Sequence, residues 1–187
     1  MRRLETRLDG PILIEPQRLG DERGFFCETY RRSVLTDLGI PEEMVQDNHS
    51  RSRRGVVRGM HFQIGEGASK LVRCATGAIL DVVVDIRRGS PTFGQWEAFE
   101  LTEENMRIAY CPIGFAHGFC TLSDTADVMY KQSNYFVSEI DRGISYDDPD
   151  VGIAWPEGLE LIPSQRDSGA PLLRDVADEA RRILPDR

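Results

Sequence analysis

Ten short runs of β-branched and aromatic residues, four to eight positions long and separated by turn residues, constrain this chain more than any other feature. They cover 12–15, 24–30, 45–50, 56–62, 70–76, 79–86, 96–101, 106–110, 116–121 and 126–132. Breaks such as Gly89-Ser90-Pro91 and Asp147-Asp148-Pro149 stop each run before it can continue. Strands alternating with amphipathic helices would indicate a parallel sheet. Here helical periodicity is confined to 33–38 and to the end of the chain. There Leu173, Val176, Ala177, Ala180, Ile183 and Leu184 would share one apolar face of a helix over about 172–184. The chain therefore reads as mainly β, a sandwich or barrel with short N-terminal and C-terminal helices. The segment 156–171 is expected to pack across the barrel in extended form.

A length of 187 residues with 40% apolar content can bury one sizeable core, which predicts a single domain over 1–187. No apolar stretch is long enough to span a bilayer, and Met1-Arg2-Arg3-Leu4-Glu5 mixes charges where a signal segment would be apolar. A soluble, cytoplasmic protein is expected. The net charge of -8 disfavours nucleic acid or an anionic membrane as partner, since either would repel the chain at long range. An anionic ligand must be met by local charge, and nearly all the basic residues are arginine, lysine occurring only at Lys70 and Lys131. The planar guanidinium suits phosphate. Cys27, Cys74, Cys111 and Cys120 lie far apart without a C-x-x-C pair and read as small core residues.

Three histidines can be weighed separately. His49 sits among polar residues in Gln46-Asp47-Asn48-His49-Ser50 and is left out of the chemistry. His61, in Arg58-Gly59-Met60-His61-Phe62-Gln63, belongs in a wall of the core near a close backbone approach at the glycine. That context suits a satisfied core histidine as well as a reactive one. His117 follows the Pro112-x-Gly114 turn and opens a strand. A metal site in a small barrel usually takes two histidines as H-x-H with a carboxylate, but Gln63 stands where the second would be. A neutral amide is a poor ligand for first-row metals, so no metal is expected.

Lys70 shares a strand face with Val72 and Cys74. It either snorkels from a strand end to water or, if that face is interior, must find an anion. Tyr130 alternates with Lys131, which puts it on the face of Val128; a buried, satisfied tyrosine is the plain reading. Asp167 looks like a loop acid, and Arg23 and Arg58 look like surface cations. Residue pattern alone ends at a β-barrel with polar groups inside.

Taken together, the segments resemble the dTDP-4-dehydrorhamnose 3,5-epimerase family, from about Gly20 to Asp167. The resemblance is carried by Asp21-Glu22-Arg23-Gly24-Phe25-Phe26-Cys27-Glu28, Gln46-Asp47-Asn48-His49-Ser50 and Val57-Arg58-Gly59-Met60-His61-Phe62-Gln63. It continues through Asp81-Val82-Val83-Val84-Asp85-Ile86-Arg87, Gly89-Ser90-Pro91-Thr92-Phe93-Gly94 and Pro112-Ile113-Gly114-Phe115-Ala116-His117-Gly118-Phe119. Val128-Met129-Tyr130-Lys131, Asp147-Asp148-Pro149 and the Ser-x-Arg-Asp ending in Asp167 complete it.

The resemblance implies a cupin-type jelly-roll barrel and a homodimer acting on a dTDP-linked 4-keto-6-deoxyhexose in dTDP-L-rhamnose biosynthesis, with no cofactor. It implies His61 as base, Asp167 as its hydrogen-bond partner, Tyr130 as acid and Lys70 as the cation at the enolate oxygen. Arg23, Glu28, Gln46, Asn48, Arg58, His117 and Arg166 match positions that hold the nucleotide, diphosphate and sugar. A mono-epimerase of a related sugar and a metal-dependent cupin oxygenase are the alternatives. Two positions depart from the family pattern: Tyr135-Phe136 replaces a tyrosine pair, and Asp141 stands in place of a glutamate.

Overall fold

The computed structural model describes residues 1–180. In chain order the elements are β1 (Arg2–Leu4), β2 (Ile12–Glu15), β3 (Arg18–Asp21), β4 (Gly24–Cys27), α1 (Arg32–Asp37), β5 (Gln46–Arg53), β6 (Val57–Gln63), β7 (Lys70–Thr76) and β8 (Ala78–Asp85). They continue with β9 (Trp96–Thr102), β10 (Ile108–Cys111), β11 (Phe115–Thr121), β12 (Thr125–Gln132), β13 (Asp141–Gly143), α2 (Gln165–Ser168) and α3 (Leu173–Ala180).

The pairing follows one rule. β8 pairs with β9, β7 with β10, β6 with β11 and β5 with β12, all antiparallel, as though a single long hairpin had been folded with its tip between β8 and β9. Wrapping that hairpin sends alternate pairs into opposite sheets, joined by β7–β12 in one and β8–β11 in the other. The result is a six-stranded sheet, β1-β2-β10-β7-β12-β5, facing a five-stranded sheet, β13-β6-β11-β8-β9. This is a jelly roll.

Strand alternation divides the core into three layers. Val72, Cys74 and Val128 from one sheet meet Ile79, Val83, Phe99, Phe115 and Phe119 from the other inside the barrel. The opposite face of the five-stranded sheet, Met60, Phe62, Val82 and Val84, is covered by Ile144, Val151 and, from α3, Leu173 and Val176. Leu35 and Ile40, in and just after α1, cover Ile12, Ile14, Leu71 and Ile108 on the outside of the six-stranded sheet. Each fully buried large apolar side chain contributes roughly 1.5–3 kcal/mol, so the two outer layers hold the short helices in place.

Between β6 and β11 the register shifts: His61 pairs with His117 and Arg58 with Phe119, so Gly59 and Met60 together oppose Gly118. A Cβ on Gly59, whose φ is +136°, would lie 2.5 Å from Gly118 Cα, and one on Gly118 would lie 2.8 Å from the Arg58 carbonyl oxygen. Only glycine fits at both positions. Three positions apart, Arg58 and His61 would face opposite sides of a regular strand; the extra residue turns both toward the barrel mouth, where both line one cavity.

Several boundaries differ from the sequence expectation. The run at 24–30 stops as a strand at Cys27, and the run at 106–110 begins only at Ile108 because Met106 takes a positive φ of 51°. Strands β1, β3 and β13 are too short and polar to carry a periodic signal. Ile183 and Leu184, expected on the last helix, lie outside the described residues. Cys74, Cys111 and Cys120 are buried, whereas Cys27 is only partly so. Among the described residues no helix is long and apolar enough to cross a membrane.

Candidate active site

A cavity of about 460 Å³ opens between the two sheets. His61, Lys70, His117 and Tyr130 line it, together with Arg58, Arg166 and Asp167. Ser50, Val56, Val57, Phe119 and the chain from Ile162 to Ser164 complete the wall.

The segment before α2 acts as a strap. Ile162 donates its amide to the Gly55 carbonyl at 2.8 Å and accepts from the Val57 amide at 3.1 Å, which ties the strap to the start of β6. Ser164 then caps α2, its hydroxyl oxygen accepting from the Asp167 amide at 3.1 Å. Held this way, buried Asp167 lies 2.7 Å from His61 Nε2. Burial alone would raise the Asp167 carboxyl, but hydrogen bonding and charge from His61, with Ser164 and the Gly59 amide, outweigh it and keep the group below the usual carboxylate range. With Nε2–H donating to the carboxylate, Nδ1 of His61 is left as the basic nitrogen.

Lys70 reaches across the barrel from β7 and donates to the His61 carbonyl oxygen at 3.3 Å. Burial pushes its ammonium below the ordinary lysine range, against the pull of Cys111, Asp141 and Asp81. The face shared with Val72 and Cys74 is therefore the interior one. Tyr130 lines the same cavity from β12, and burial raises its phenol so that it stays protonated. His117 Nε2 lies 2.8 Å from Asp81 Oδ2, both groups buried. Burial lowers the pKa of His117 more than Asp81 raises it, so the ring is held neutral.

Other expected residues lie elsewhere. Gln46 and Asn48 sit on the inward row of β5 that continues from Ser50; Gln46 donates to Asn48 at 2.9 Å and accepts from the Phe136 amide at 2.8 Å. Glu28 pairs with Arg31 and lines a second cavity, about 340 Å³, against the outer face of the six-stranded sheet. Arg23 stands at the tip of the β3–β4 hairpin with 83% of its side chain exposed, paired only with Asp21 among the described residues. His49, set aside on sequence grounds, shares Asp127 with Arg51 on the outer face. Among the described residues no three His, Cys, Asp or Glu side chains gather as a metal site requires.

The sequence model of the dTDP-4-dehydrorhamnose 3,5-epimerases matches residues 5–175. The chain belongs to this epimerase family. A dTDP-4-dehydrorhamnose 3,5-epimerase from Pseudomonas aeruginosa is 50% identical over 174 residues, covering 91% of this chain and 96% of its own. The crystal structure of dTDP-6-deoxy-D-glucose-3,5-epimerase from Legionella pneumophila in complex with dTDP-4-keto-L-rhamnose superposes with a TM-score of 0.93 at 44% identity, covering 96% of both chains. A 3'-monoepimerase from Streptomyces bikiniensis in complex with dTDP-quinovose is 35% identical with a TM-score of 0.88, covering 92% of this chain and 88% of its own.

Within this epimerase fold, three features went unread in the sequence. Asp81 interrupts an apolar run, and an acid in a buried strand face needs a partner, so the signal for its pairing with His117 was present. Ser164 stood only as the first residue of the Ser-x-Arg-Asp motif, with no capping role given to it. Asp141, noted only as a departure from the family pattern, accepts from Arg166 and fixes that guanidinium beside the cavity.

Proposed function

We propose that this epimerase inverts C3 and C5 of dTDP-4-dehydro-6-deoxy-D-glucose, giving dTDP-4-dehydro-L-rhamnose, by proton removal and return next to the C4 ketone. The observation that carries this reading is the meeting of His61, Tyr130 and Lys70 in one cavity with Asp167 behind the imidazole.

A ketone acidifies the hydrogens on both neighbouring carbons, because the electrons left behind move onto its oxygen as an enolate. His61 Nδ1 takes the proton, and Asp167 stabilises the imidazolium that forms. The Lys70 ammonium stands ready for the charge developing on the C4 oxygen; its partial burial strengthens that interaction. Tyr130 returns a proton to the other face of the carbon, which inverts it, and solvent resets both groups. No electrons leave the substrate, so no redox cofactor is called for.

Arg58 and Arg166 suit the diphosphate, being always charged and forked. Neutral His117, fixed by Asp81, suits a sugar hydroxyl. Gln46 and Asn48 extend the polar row toward the nucleoside. The names of the relatives near 50% identity favour double over single inversion.

The chain acts as one domain and as a homodimer in the cytoplasm. Leu19, Phe25 and Phe26, 56%, 51% and 69% exposed on the β3–β4 hairpin, support the dimer, since apolar side chains grouped in this way favour a protein partner. That hairpin also carries Arg23. Four free cysteines fit a reducing compartment.

Turnover in deuterium oxide followed by NMR tests the reading. Label at both C3 and C5 supports it; label at one carbon makes the protein a mono-epimerase.

A further inference from the structure

Gln63 is 5% exposed, and neither its amide nitrogen nor its amide oxygen has a hydrogen-bond partner among the described residues. The amide nitrogen of Gln132, 4% exposed, is likewise unpartnered among the described residues. A buried amide left unpaired is costly, so such atoms in a native core are met by something.

Their position narrows what that is. Gln63 follows His61 by two on β6 and shares its inward face, and the Lys70 ammonium reaches β6 at the His61 carbonyl. Gln132 is the direct cross-strand partner of Lys70 on β12, so those two side chains also share a face. An ammonium has three protons to donate, and Lys70 makes one hydrogen bond, at 3.3 Å, among the described residues. His61, Lys70 and Tyr130 line the cavity, whereas Gln63 and Gln132 do not and lie behind them. Polar partners converging from three strands suit one buried water.

We propose that Gln63 is a positioning residue for Lys70: with Gln132 it holds a water molecule behind the ammonium, and that water keeps the ammonium aimed at the substrate's carbonyl oxygen. The inference rests on the function proposed above. Other charged or titratable groups around Lys70 are Cys111 from β10, Asp141 from β13, Asp81 from β8 and Arg166 from α2. His61, His117 and Tyr130 face it from β6, β11 and β12. Asp141 is also the cross-strand partner of Gln63, so the lysine titration that tests the proposal is repeated in an Asp141→Asn background.

The sequence provides an unusual readout, because Lys70 and Lys131 are its only lysines. Enzyme labelled in its lysine side chains gives two titrating NMR signals, and Lys131→Arg assigns them. In Gln63→Leu, Lys70 should bind its proton about tenfold more weakly than in the parent, the worth of one hydrogen bond to a charged group. In Gln63→Glu it should bind more tightly, with the Lys131 signal unchanged in both. The kcat of Gln63→Leu should fall about tenfold with KM within about twofold, and that loss should vanish in a Lys70→Ala background. Identical Lys70 titrations in the parent and both variants would overturn the proposal, as would an undiminished kcat loss without Lys70. Since the titration needs no turnover, an inactive parent would refute the function reading while leaving this one decidable.

Discussion

His61 Nε2 and Asp167 Oδ1 lie 2.7 Å apart, although 106 positions separate the two residues in the chain. The contact exists because the 156–164 strap is stitched to the start of β6 and Ser164 then starts a one-turn helix at the right place. Asp167→Asn keeps the shape but loses the charge that stabilises an imidazolium. The kcat should fall about 10²- to 10⁴-fold, with KM changed less than about threefold, in a steady-state assay on the 4-keto sugar.

Tyr130→Phe should separate two events that are joined in the parent. His61 still removes protons, so hydrogen exchange with solvent continues, but the proton returns from the face it left. NMR in deuterium oxide should show labelled, uninverted substrate. Exchange and inversion falling by the same factor would refute Tyr130 as the acid.

Asp85 supplies a pH dependence of stability. Burial would raise its carboxyl, but hydrogen bonds from Arg87, Thr92 and Ser90 hold it below the ordinary value. A depressed carboxyl contributes its full stability above the unfolded-state pKa of about 4, and that contribution is lost as pH falls through the folded value. Asp85→Asn should cost about 2–4 kcal/mol near neutrality and flatten the acid limb of a urea-melt series.

Phe26→Glu puts a charge on the most exposed apolar side chain of the β3–β4 hairpin. Sedimentation should show a shift from dimer to monomer while the fold, by circular dichroism, stays intact. A monomeric parent would remove the dimer from the proposed function.

Much of the fold could be read because burial leaves a period-two imprint wherever a strand has one apolar face; 126–132, with Ala126, Val128 and Tyr130 inside and Asp127 and Lys131 outside, is an example. The strands β3 and β13 left no imprint, since one is exposed throughout and the other is only partly buried. For the site, alternation put Lys70 on the face of Val72 and Cys74 but left open whether that face was the interior one. Residue pattern alone gave no contact across the chain: nothing near Asp167 announces His61, a pairing that came only from the family resemblance, and nothing near Asp141 announces Arg166. The bulge that turns Arg58 and His61 to one cavity was half visible, as a glycine expected to mark a close backbone approach.

That pair of glycines works as a ruler. With Gly59 and Gly118 closely packed, the backbone spacing of Arg58 and His61, proposed above to meet the substrate's charged tail and its ring, is cut into the main chain. Gly118→Ala should therefore impair grip and turnover together. Sugars joined to the nucleoside through one phosphate more or fewer should be held firmly and left unreacted, their reactive carbon presented at the wrong mark.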